Sequence, residues 1–257
     1  RLLLALQGVD FVIHAAALKQ VDTAEYNPTE YVKTNILGSE NVIRASMLAG
    51  TQRVIALSTD KASSPANLYG ATKLTADRLF VSSNHYAPAG GTRFSVVRYG
   101  NVMASRGSVI PLFLSLGAKG KPLPITDYRM TRFWITLPEA VAFVLACLQD
   151  MHGGEIFVPR IPSVRITDVA EAVAPGADTV EVGIRPGEKL HEEMISREDA
   201  RTTLQQDRRF IIQPVLAGWG GRKPTVGKPL QEGFAYQSDT NDEWLSVSDI
   251  RSLIDTL

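Results

Sequence analysis

Apolar and polar positions in the first two-fifths of the chain alternate between short buried runs and longer amphipathic stretches. Val9–His14, Arg53–Leu57 and Phe94–Tyr99 are short, mainly apolar runs, and each predicts a buried strand. Between them, residues 29–49 and 69–81 carry apolar positions near helical spacing and predict helices. Strands that alternate with helices in this way favour a parallel sheet covered on both faces.

The pattern changes after about residue 105, where prolines separate shorter elements. It predicts helices at 137–149, 166–173 and 188–195, and strands near 155–158 and 179–183. We interpret this half as a smaller lobe that closes over the carboxyl edge of the sheet. Beyond Gln213 the chain is rich in Gly, Pro and Lys, and we expect it to wrap the surface or to mediate subunit contact.

Composition narrows the possible classes of protein. The chain has 257 residues with 27 Lys plus Arg and 27 Asp plus Glu, so charge gives no reason to expect nucleic acid or an anionic membrane as partner. Its 44% hydrophobic residues suffice for a core. The single Cys147 excludes an intramolecular disulfide and a Cys-rich metal site, and it suits a reducing cytoplasm. No apolar run reaches the roughly 18–20 residues of a membrane span, and we recognise no signal peptide.

Polar residues follow each of the three predicted strands, where a parallel sheet places its ligands. The segments are 15–19, 58–61 and 100–102, and a single cleft can collect all three. Tyr69 and Lys73 lie four apart on a predicted helix and therefore on one face. A nearby ammonium, together with the positive nicotinamide of an oxidised cofactor, favours the phenolate form, which can take a proton from a hydroxyl. The spacing alone is common, and a packed Tyr beside a solvated Lys is the alternative interpretation.

A set of longer motifs gives the chain a specific resemblance. The matching segments are His14–Val21, Ala24–Pro28, Lys33–Asn35, Leu57–Ala62, Asn67–Lys73, Arg98–Val102, Ser105–Pro111, Met130–Phe133, Met151–Pro159 and Arg185–Lys189. Together they make the chain resemble the extended short-chain dehydrogenase/reductase family, and within it the inverting UDP-N-acetylglucosamine 4,6-dehydratases, through about residue 212. The resemblance implies an α/β fold with a Rossmann-like, doubly wound parallel sheet and a smaller α/β substrate lobe.

The same resemblance divides the chain and exposes a gap. It implies that residues 1–105 form a cofactor-binding portion, that 106–212 form mainly a substrate lobe with some chain returning to the sheet, and that 213–257 are an extension. The family opens with a strand, a Gly-rich turn and a helix that hold the cofactor pyrophosphate. No such Gly-rich motif occurs here, and the chain does not begin with Met. We therefore expect roughly 70 residues of the family's amino-terminal half, with the determinants of NAD or NADP choice, to be absent.

The resemblance also implies a reaction and its residues. Tyr69 is the base for the C4 hydroxyl with Lys73 as its partner, and Thr59 supplies the hydroxyl of the trio. Asp60 is the acid for the departing C6 hydroxyl and Lys61 the base for the C5 proton. Lys61 must then be neutral, which Lys73, the oxidised nicotinamide and partial burial favour, and Asp60 must be protonated. An ion pair between Asp60 and Lys61 opposes both requirements, and a capped turn with a solvated Lys is the alternative.

Further site residues are carried over from the same family. The predicted cofactor contacts are Ala15, Ala16, Asn35, Tyr69, Lys73, Tyr99, Asn101 and Val102. The predicted substrate contacts are Lys19, Asn101, Ser108, Val109, Arg132, Arg185 and Glu188. For Arg132 and Arg185 a structural ion pair is the alternative, although arginine suits a diphosphate. Relatives usually carry Gly where this chain has Ala104, and His191-Glu192-Glu193 is not a zinc motif, so we expect no metal.

The predicted function is the 4,6-dehydration of UDP-N-acetylglucosamine with inversion at C5, using NADP or alternatively NAD. Tyr69 supports the inverting type, since retaining relatives usually carry Met there. Relatives feed pseudaminic acid or polysaccharide synthesis, and they are commonly homo-oligomers, so we expect a hexamer or a dimer. A UDP-N-acetylhexosamine 4-epimerase, which needs Tyr69 and Lys73 but not Asp60 and Lys61, and an inactive fragment without its cofactor loop remain the alternatives.

Overall fold

The structure is a computed structural model that describes residues 1–88, 90–105, 107–214 and 226–256. Its strands are β1 (Phe11–His14), β2 (Arg53–Thr59), β3 (Arg93–Tyr99), β4 (Asn101–Val102), β5 (Leu123–Ile125), β6 (Thr131–Ile135), β7 (Ile156–Pro159), β8 (Ser163–Arg165), β9 (Thr179–Glu181), β10 (Glu193–Ile195), β11 (Thr203–Gln206), β12 (Arg209–Ile212), β13 (Lys228–Pro229) and β14 (Tyr236–Gln237). Its α-helices are α1 (Leu2–Ala5), α2 (Val21–Tyr26), α3 (Pro28–Tyr31), α4 (Gly38–Ala49), α5 (Leu68–Tyr86), α6 (Val109–Gly117), α7 (Leu137–Asp150), α8 (Ile166–Val173), α9 (Arg197–Ala200) and α10 (Val247–Ile254).

A seven-stranded sheet organises the fold in the order β1-β2-β3-β7-β12-β11-β13. The first four strands are parallel, and β12, β11 and β13 join antiparallel. Strands from residues 156–229 thus return to the sheet that the first hundred residues begin. Register aligns His14 with Ala56 and Thr59 with Tyr99. The loops after β1, β2 and β3 therefore open at one edge, which confirms the predicted parallel α/β sheet.

The helical layer on the sheet follows the predicted pattern with one irregularity. The helix predicted at 29–49 consists of α3, a π-helical stretch at Val32–Leu37 and α4. Such π turns are frequent at functional sites. Helix α5 extends beyond the predicted range, mainly at its carboxyl end, and Asn67 caps its first turn by accepting a hydrogen bond from the Gly70 backbone at 2.7 Å. The main core lies between these helices and the sheet, with Phe80, Phe94 and Val96 fully buried.

A second core belongs to the smaller lobe. Strands β4, β6 and β8 form one small sheet and β5 pairs with β9, while α6, α8 and α10 pack against them around Phe113, Ile125 and Val169. Helix α10 lies beyond residue 213, so part of the predicted extension folds into this lobe and β13 joins the main sheet. The Gly-rich stretch around Trp219 lies outside the described residues.

One predicted helix is wrong. Residues 188–195 form a turn followed by β10, which pairs antiparallel with β14. Strand β14 lies more than forty residues further along the chain, so this non-local pairing overrides the local helical pattern. The helices at 137–149 and 166–173 and the strands near 155–158 and 179–183 are confirmed.

Candidate active site

A single tight turn holds the two residues predicted to carry the elimination. Strand β2 ends at Thr59, and Asp60–Ala62 form one 3-10 turn at the carboxyl edge of the sheet. The Thr59 hydroxyl donates to Asp60 Oδ1 at 2.8 Å and accepts from the Lys61 backbone N–H at 3.4 Å. Helix α5 passes directly beside this turn because Gly70 has no side chain: a Cβ there would overlap the Lys61 carbonyl oxygen. The absence of one methyl group therefore sets the distance between the turn and α5.

Lys61 lies between two carboxylates rather than in solvent. Its Nζ is 3.2 Å from Asp60 Oδ1 and 3.1 Å from Glu192 Oε1. Asp60 is 1% exposed, Glu192 is 2% exposed, and the Lys61 side chain is 23% exposed. The second oxygen of each carboxylate, Asp60 Oδ2 and Glu192 Oε2, is buried without a hydrogen-bond partner among the described residues. Two buried acceptors are thus free at the centre of the site.

The surroundings shift the pKa values of the Asp60 and Glu192 carboxyl groups in opposite directions. Burial and the Glu192 charge raise the pKa of Asp60 against the opposing effect of Lys61, in the direction expected for an acid. Burial also acts to raise the pKa of Glu192, but Lys61 and Arg132 outweigh it and hold that pKa below its usual value. For Lys61, burial lowers the pKa, but Asp60 and Glu192 outweigh burial and the net direction is upward. The expectation that Lys61 is neutral is therefore wrong for the protein alone, because the Asp60 ion pair is reinforced by a second carboxylate that the sequence does not reveal.

Tyr69 and Lys73 occupy the first turns of α5 and are both buried. Burial raises the pKa of Tyr69 to about 12, against the opposing effects of the Lys61 charge and a hydrogen bond with Thr59. The phenol is therefore protonated in the protein alone, and the predicted phenolate is not its resting form. Lys73 donates from Nζ to the Leu57 carbonyl oxygen at 2.7 Å, and burial lowers its pKa. Thr59, Asp60, Lys61 and Tyr69 thus form one connected cluster, with Lys73 one turn further along α5.

A buried ion-pair network lies next to Lys73, on the far side from Tyr69 along α5. Asp77, one turn further along α5, accepts a hydrogen bond from Ser58 at 2.9 Å and pairs with Arg98 at 3.4 Å. Arg98 is fully buried and also pairs with Asp199 at 3.1 Å. The Asp77 charge opposes the effect of burial on the pKa of Lys73. This network links β2, β3 and α5 and fixes the base of the cleft.

A cavity of about 150 Å³ opens beside the Asp60 turn. Its lining residues are Val21, Lys61, Asn67, Asn101, Arg132, Gly187, Glu188, Lys189 and Glu192. Asn67 donates to the Gly187 carbonyl oxygen at 2.8 Å and so ties the start of α5 to the 185–189 loop. A larger cavity of about 480 Å³ lies at the opposite, amino end of β2 and β3 and contains none of the predicted site residues. The smaller cavity is therefore the one that the chemistry indicates.

The predicted substrate residues divide into two groups. Asn101, Arg132 and Glu188 line the cavity, and Asn101 Oδ1 is buried without a partner among the described residues. Arg185 does not line it: its side chain is mostly exposed and reaches Asp22 at 3.7 Å, which is the structural alternative.

Arg132 is held mainly by backbone carbonyls. Its guanidinium donates to the carbonyl oxygens of Thr131, Leu190 and Lys189 at 2.7–3.1 Å. The N–H groups of the Arg132 guanidinium, which were predicted to bind a diphosphate, are thus largely occupied by hydrogen bonds within the protein.

The remaining predicted substrate residues are more peripheral. Lys19 is exposed in the loop after β1. Ser108 precedes α6 and has a buried hydroxyl without a partner among the described residues, while Val109 packs into the lobe core. Ala104, at the position where relatives usually carry Gly, adopts a positive φ of 53°. An L-residue is strained in this conformation, so the methyl group there carries a backbone cost.

Of the predicted cofactor residues, Asn35 has a different role from the one expected. It is buried in the π turn, where its Oδ1 accepts from the Leu18 N–H at 2.8 Å and its Nδ2 donates to the Leu18 carbonyl at 2.9 Å and to Thr72 at 3.0 Å. Its amide is therefore committed to holding the loop after β1, and it does not face the cleft with free polar atoms. Asn35 is a positioning residue for that loop.

The other predicted cofactor residues stay accessible. Ala15 and Ala16 are exposed at the carboxyl end of β1, and their small side chains leave the backbone open to a ligand. Tyr99 and Val102 are half-buried beside the main core at the same edge. With Lys73 and the unpartnered Asn101 oxygen, they remain the residues predicted to contact a cofactor.

Two cavity residues carry charge and were not predicted as site residues. Glu192 lies just before β10, and Lys189 donates to the Ser63 carbonyl oxygen at 2.6 Å. Both are brought in by the loop between β9 and β10, which no local pattern connects to β2. The Arg-Pro-Gly-Glu-Lys motif at 185–189 was the only available signal, since it matched the family as a string.

Other groups are accounted for within the fold. His14 is buried with its Nε2 3.3 Å from Ser39 Oγ, and burial, with the Lys73 charge, lowers its pKa to about 4. In the described ranges, no cluster of His, Cys, Asp and Glu side chains has the arrangement of a metal site. Among those same residues, no helix combines the length and apolar character that crossing a membrane requires.

Comparison with known sequences gives a consistent set of relatives. The family model for polysaccharide biosynthesis proteins matches residues 1–214. An inverting UDP-N-acetylglucosamine 4,6-dehydratase from Campylobacter jejuni is 51% identical over 99% of this chain and 78% of that protein. A UDP-glucose 4-epimerase from Rickettsia massiliae is 44% identical over 76% of this chain and 58% of that protein.

Comparison with known structures agrees with the fold. The X-ray structure of Pen from Bacillus thuringiensis matches all of this chain and 78% of that chain, with a TM-score of 0.88 and 36% identity. The dTDP-glucose 4,6-dehydratase DesIV from Streptomyces venezuelae, with NAD and TYD bound, matches 74% of this chain and 65% of that chain, with a TM-score of 0.66 and 24% identity. At that identity the second likeness concerns the fold alone.

Proposed function

The chain belongs to the polysaccharide biosynthesis protein family, among the extended short-chain dehydrogenase/reductases, and on that premise we propose that it is an inverting UDP-N-acetylglucosamine 4,6-dehydratase. It is a lyase that removes water across C5 and C6 of the amino sugar and inverts C5. The observation that carries the proposal is the Asp60–Lys61 ion pair next to Tyr69, of which Lys61 lines the cavity. An epimerase needs no acid and base at this position, so the pair favours the dehydratase over the 4-epimerase.

The first proton moves from the C4 hydroxyl. Tyr69 is the acceptor, the Thr59 hydroxyl acts to lower the pKa of the phenol, and Lys73 supplies the neighbouring positive charge. Because burial raises the pKa of Tyr69 to about 12 with Lys73 already in place, the phenol needs a further positive charge nearby before it can act as a base. Ala15, Ala16, Lys73, Tyr99, Asn101 and Val102 are the residues that would hold a nicotinamide cofactor. When bound in its oxidised form, the cofactor would supply a positive charge and an acceptor for the C4 hydride. After loss of water that hydride would return to C6 of the 5,6-alkene, while C5 takes a proton on the opposite face.

The elimination uses one proton that Asp60 and Lys61 share. In the resting pair Lys61 is an ammonium and Asp60 a carboxylate, 3.2 Å apart. Moving that proton from Nζ to Oδ1 yields a neutral amine and a carboxylic acid together, which are the two forms the elimination requires. Lys61 then takes the C5 proton, which the C4 ketone has made acidic, while Asp60 gives its proton to the C6 oxygen, which leaves as water. The pair ends as ammonium and carboxylate, as it began.

The finer assignments rest on family resemblance. We propose NADP as the cofactor, with NAD as the alternative, and a UDP-sugar as the partner molecule. We also propose a homo-oligomer, hexameric or dimeric, that serves deoxyamino-sugar synthesis for pseudaminic acid or polysaccharide in the cytoplasm. A titration of the purified protein with each dinucleotide, followed by nicotinamide or protein fluorescence, distinguishes NADP from NAD by affinity.

Product analysis tests the proposed function. Protein expressed from its complete gene is incubated with UDP-N-acetylglucosamine and the dinucleotide that it binds, and the sugar is examined by mass spectrometry and NMR. The proposal predicts loss of one water, a C4 ketone and a C6 methyl group. A product of unchanged mass with inverted C4 would instead assign the epimerase. If this chain expressed alone binds no dinucleotide and leaves the substrate unchanged, that would assign an inactive fragment.

A further inference from the structure

Glu192 is the one cavity-lining carboxylate that no motif assigns and that contacts a reacting side chain. It enters the site from the residue before β10, its carboxylate is buried, and its Oε1 lies 3.1 Å from Lys61 Nζ. Its Oε2 is buried and has no partner among the described residues, although Glu192 lines the cavity. An unpartnered buried carboxylate oxygen costs free energy, so its retention calls for an explanation in function.

The charged groups that face Glu192 come from three segments. Lys61 and Asp60 approach from the turn after β2, Arg132 from β6 with its Nε 3.8 Å away, and Lys189 from the preceding loop. The Arg132 guanidinium already donates to three backbone carbonyls, and Lys189 donates to Ser63. Lys61 is thus the one facing cation that Glu192 binds directly at hydrogen-bond distance in the described site.

The geometry at Lys61 Nζ limits what the amine can do. An ammonium has three N–H positions, and two of them are occupied, by Asp60 Oδ1 at 3.2 Å and Glu192 Oε1 at 3.1 Å. When a proton passes from Nζ to Asp60, Glu192 still accepts one N–H and holds the nitrogen in place. The lone pair that remains first points to Asp60, and a one-third turn about the Cε–Nζ bond, after which Glu192 again accepts an N–H, directs it to the open position left for the substrate. Without Glu192 the nitrogen has a single anchor, and that anchor is its own proton partner.

We propose that Glu192 is a positioning residue for the elimination: it anchors Lys61 Nζ beside Asp60 and its negative charge keeps the shared proton on that pair. This inference rests on the proposed function, because it assigns Glu192 to the step that Asp60 and Lys61 perform. It adds a third residue from a distant part of the chain to the acid-base pair.

The charge of Glu192 has a signature in the pH profile. Glu192 raises the pKa of Asp60 and also the pKa of Lys61. The active pair holds one proton, so activity falls at low pH when Asp60 and Lys61 are both protonated, and at high pH when neither is. Removing the charge lowers both pKa values, so both limbs of the profile for kcat/KM move to lower pH. A residue that served only packing would leave the limbs in place.

The test compares Glu192→Gln with Glu193→Gln in protein expressed from its complete gene. Gln keeps the size and one acceptor of Glu192 but removes its charge. Glu193 is a matched control because it accepts from Ser63, Ser64 and Gln237 and makes no contact with Lys61. For Glu192→Gln we expect kcat for dehydration to fall roughly 10- to 100-fold, KM to stay within about threefold, and both pH limbs to shift downward. Glu193→Gln is expected to retain the wild-type profile.

The Glu192→Asp variant distinguishes the effect of the negative charge from the effect of side-chain length. It restores the charge on a side chain one methylene shorter, so the pH limbs are expected to return toward the wild type while kcat stays reduced. The inference is overturned if wild-type protein dehydrates the sugar and Glu192→Gln does so with unchanged kcat and unchanged limbs, or if Glu193→Gln behaves in the same way as Glu192→Gln. If the wild-type protein itself forms no dehydrated product, the proposed function fails instead, so the two failures are distinguishable.

Discussion

Gly70 offers the sharpest structural test of how the site is assembled. It lies in the first turn of α5, where a Cβ would overlap the Lys61 carbonyl oxygen and stand 3.0 Å from Pro65 Cβ. Gly70→Ala must therefore push the Asp60 turn away from α5. The carbonyl belongs to rigid backbone rather than to the end of a flexible side chain, so the displacement falls on Asp60 and Lys61 themselves.

The expected change in the free energy of unfolding of Gly70→Ala is the sum of two opposed effects. Alanine in a helix is favoured over glycine by roughly 0.5–1 kcal/mol. Overpacking at a close contact costs about 1–3 kcal/mol. We expect a net loss of about 1 kcal/mol in the free energy of unfolding. Activity should fall more steeply, because a displacement of about 1 Å of a reacting group costs roughly 10²-fold in rate.

Gly38→Ala is the matched control for this experiment. Gly38 is also helical, with a φ of −60°, and a Cβ there meets only the Lys33 carbonyl oxygen at 3.5 Å, an ordinary contact. This variant should gain roughly 0.5–1 kcal/mol in the free energy of unfolding and keep its activity. Urea unfolding and the dehydration rate are measured for both variants. A Gly70→Ala protein as stable and as active as Gly38→Ala would refute the packing argument.

The remaining predictions concern single residues. Lys61→Ala should lose dehydration by roughly 10²- to 10⁴-fold yet still oxidise C4, which the absorbance of reduced nicotinamide reports, so retained elimination of water would contradict its assigned role. Asn35→Ala leaves Leu18 without its side-chain partners, and urea unfolding should report a loss of about 1–3 kcal/mol. His14 has a folded pKa of about 4 against an ordinary 6.5, so between those pH values the unfolded chain binds more protons and stability rises with pH, by at most about 3 kcal/mol. His14→Gln should remove that part of the slope between pH 4 and 6.5, and identical slopes would contradict it.

The sheet and the site residues that directly follow its strands could be predicted from the sequence because local patterns encode them. β1, β2 and β3 are short apolar runs followed by polar residues, and parallel register alone brings those polar residues to one edge. Helical spacing placed Tyr69 and Lys73 on one face of the helix, although their roles came from the family resemblance. Asp60 and Lys61 required the family resemblance, since a polar pair after a strand is equally typical of a capped turn.

The parts that sequence reasoning missed depend on contacts between distant segments. Residues 188–195 have a helical pattern but pair with Tyr236–Gln237, and that pairing places Glu192 beside Lys61. The raised pKa of Lys61 follows from its chain neighbour Asp60 and from this second carboxylate together. Asn35 matched a cofactor motif, whereas its buried amide holds the Leu18 loop. No local pattern encodes these three contacts.

The most direct measurement of the proton chemistry is the dehydration reaction carried out in deuterated water. If Asp60 and Lys61 perform the elimination, C5 loses its own proton to Lys61 and is reprotonated in exchange with solvent. The 4-keto-6-deoxy product should then carry one solvent-derived deuterium at C5, and Lys61→Ala should abolish its formation. A product formed by the wild-type protein without deuterium at C5, or a sugar that keeps its C6 hydroxyl, would contradict the account.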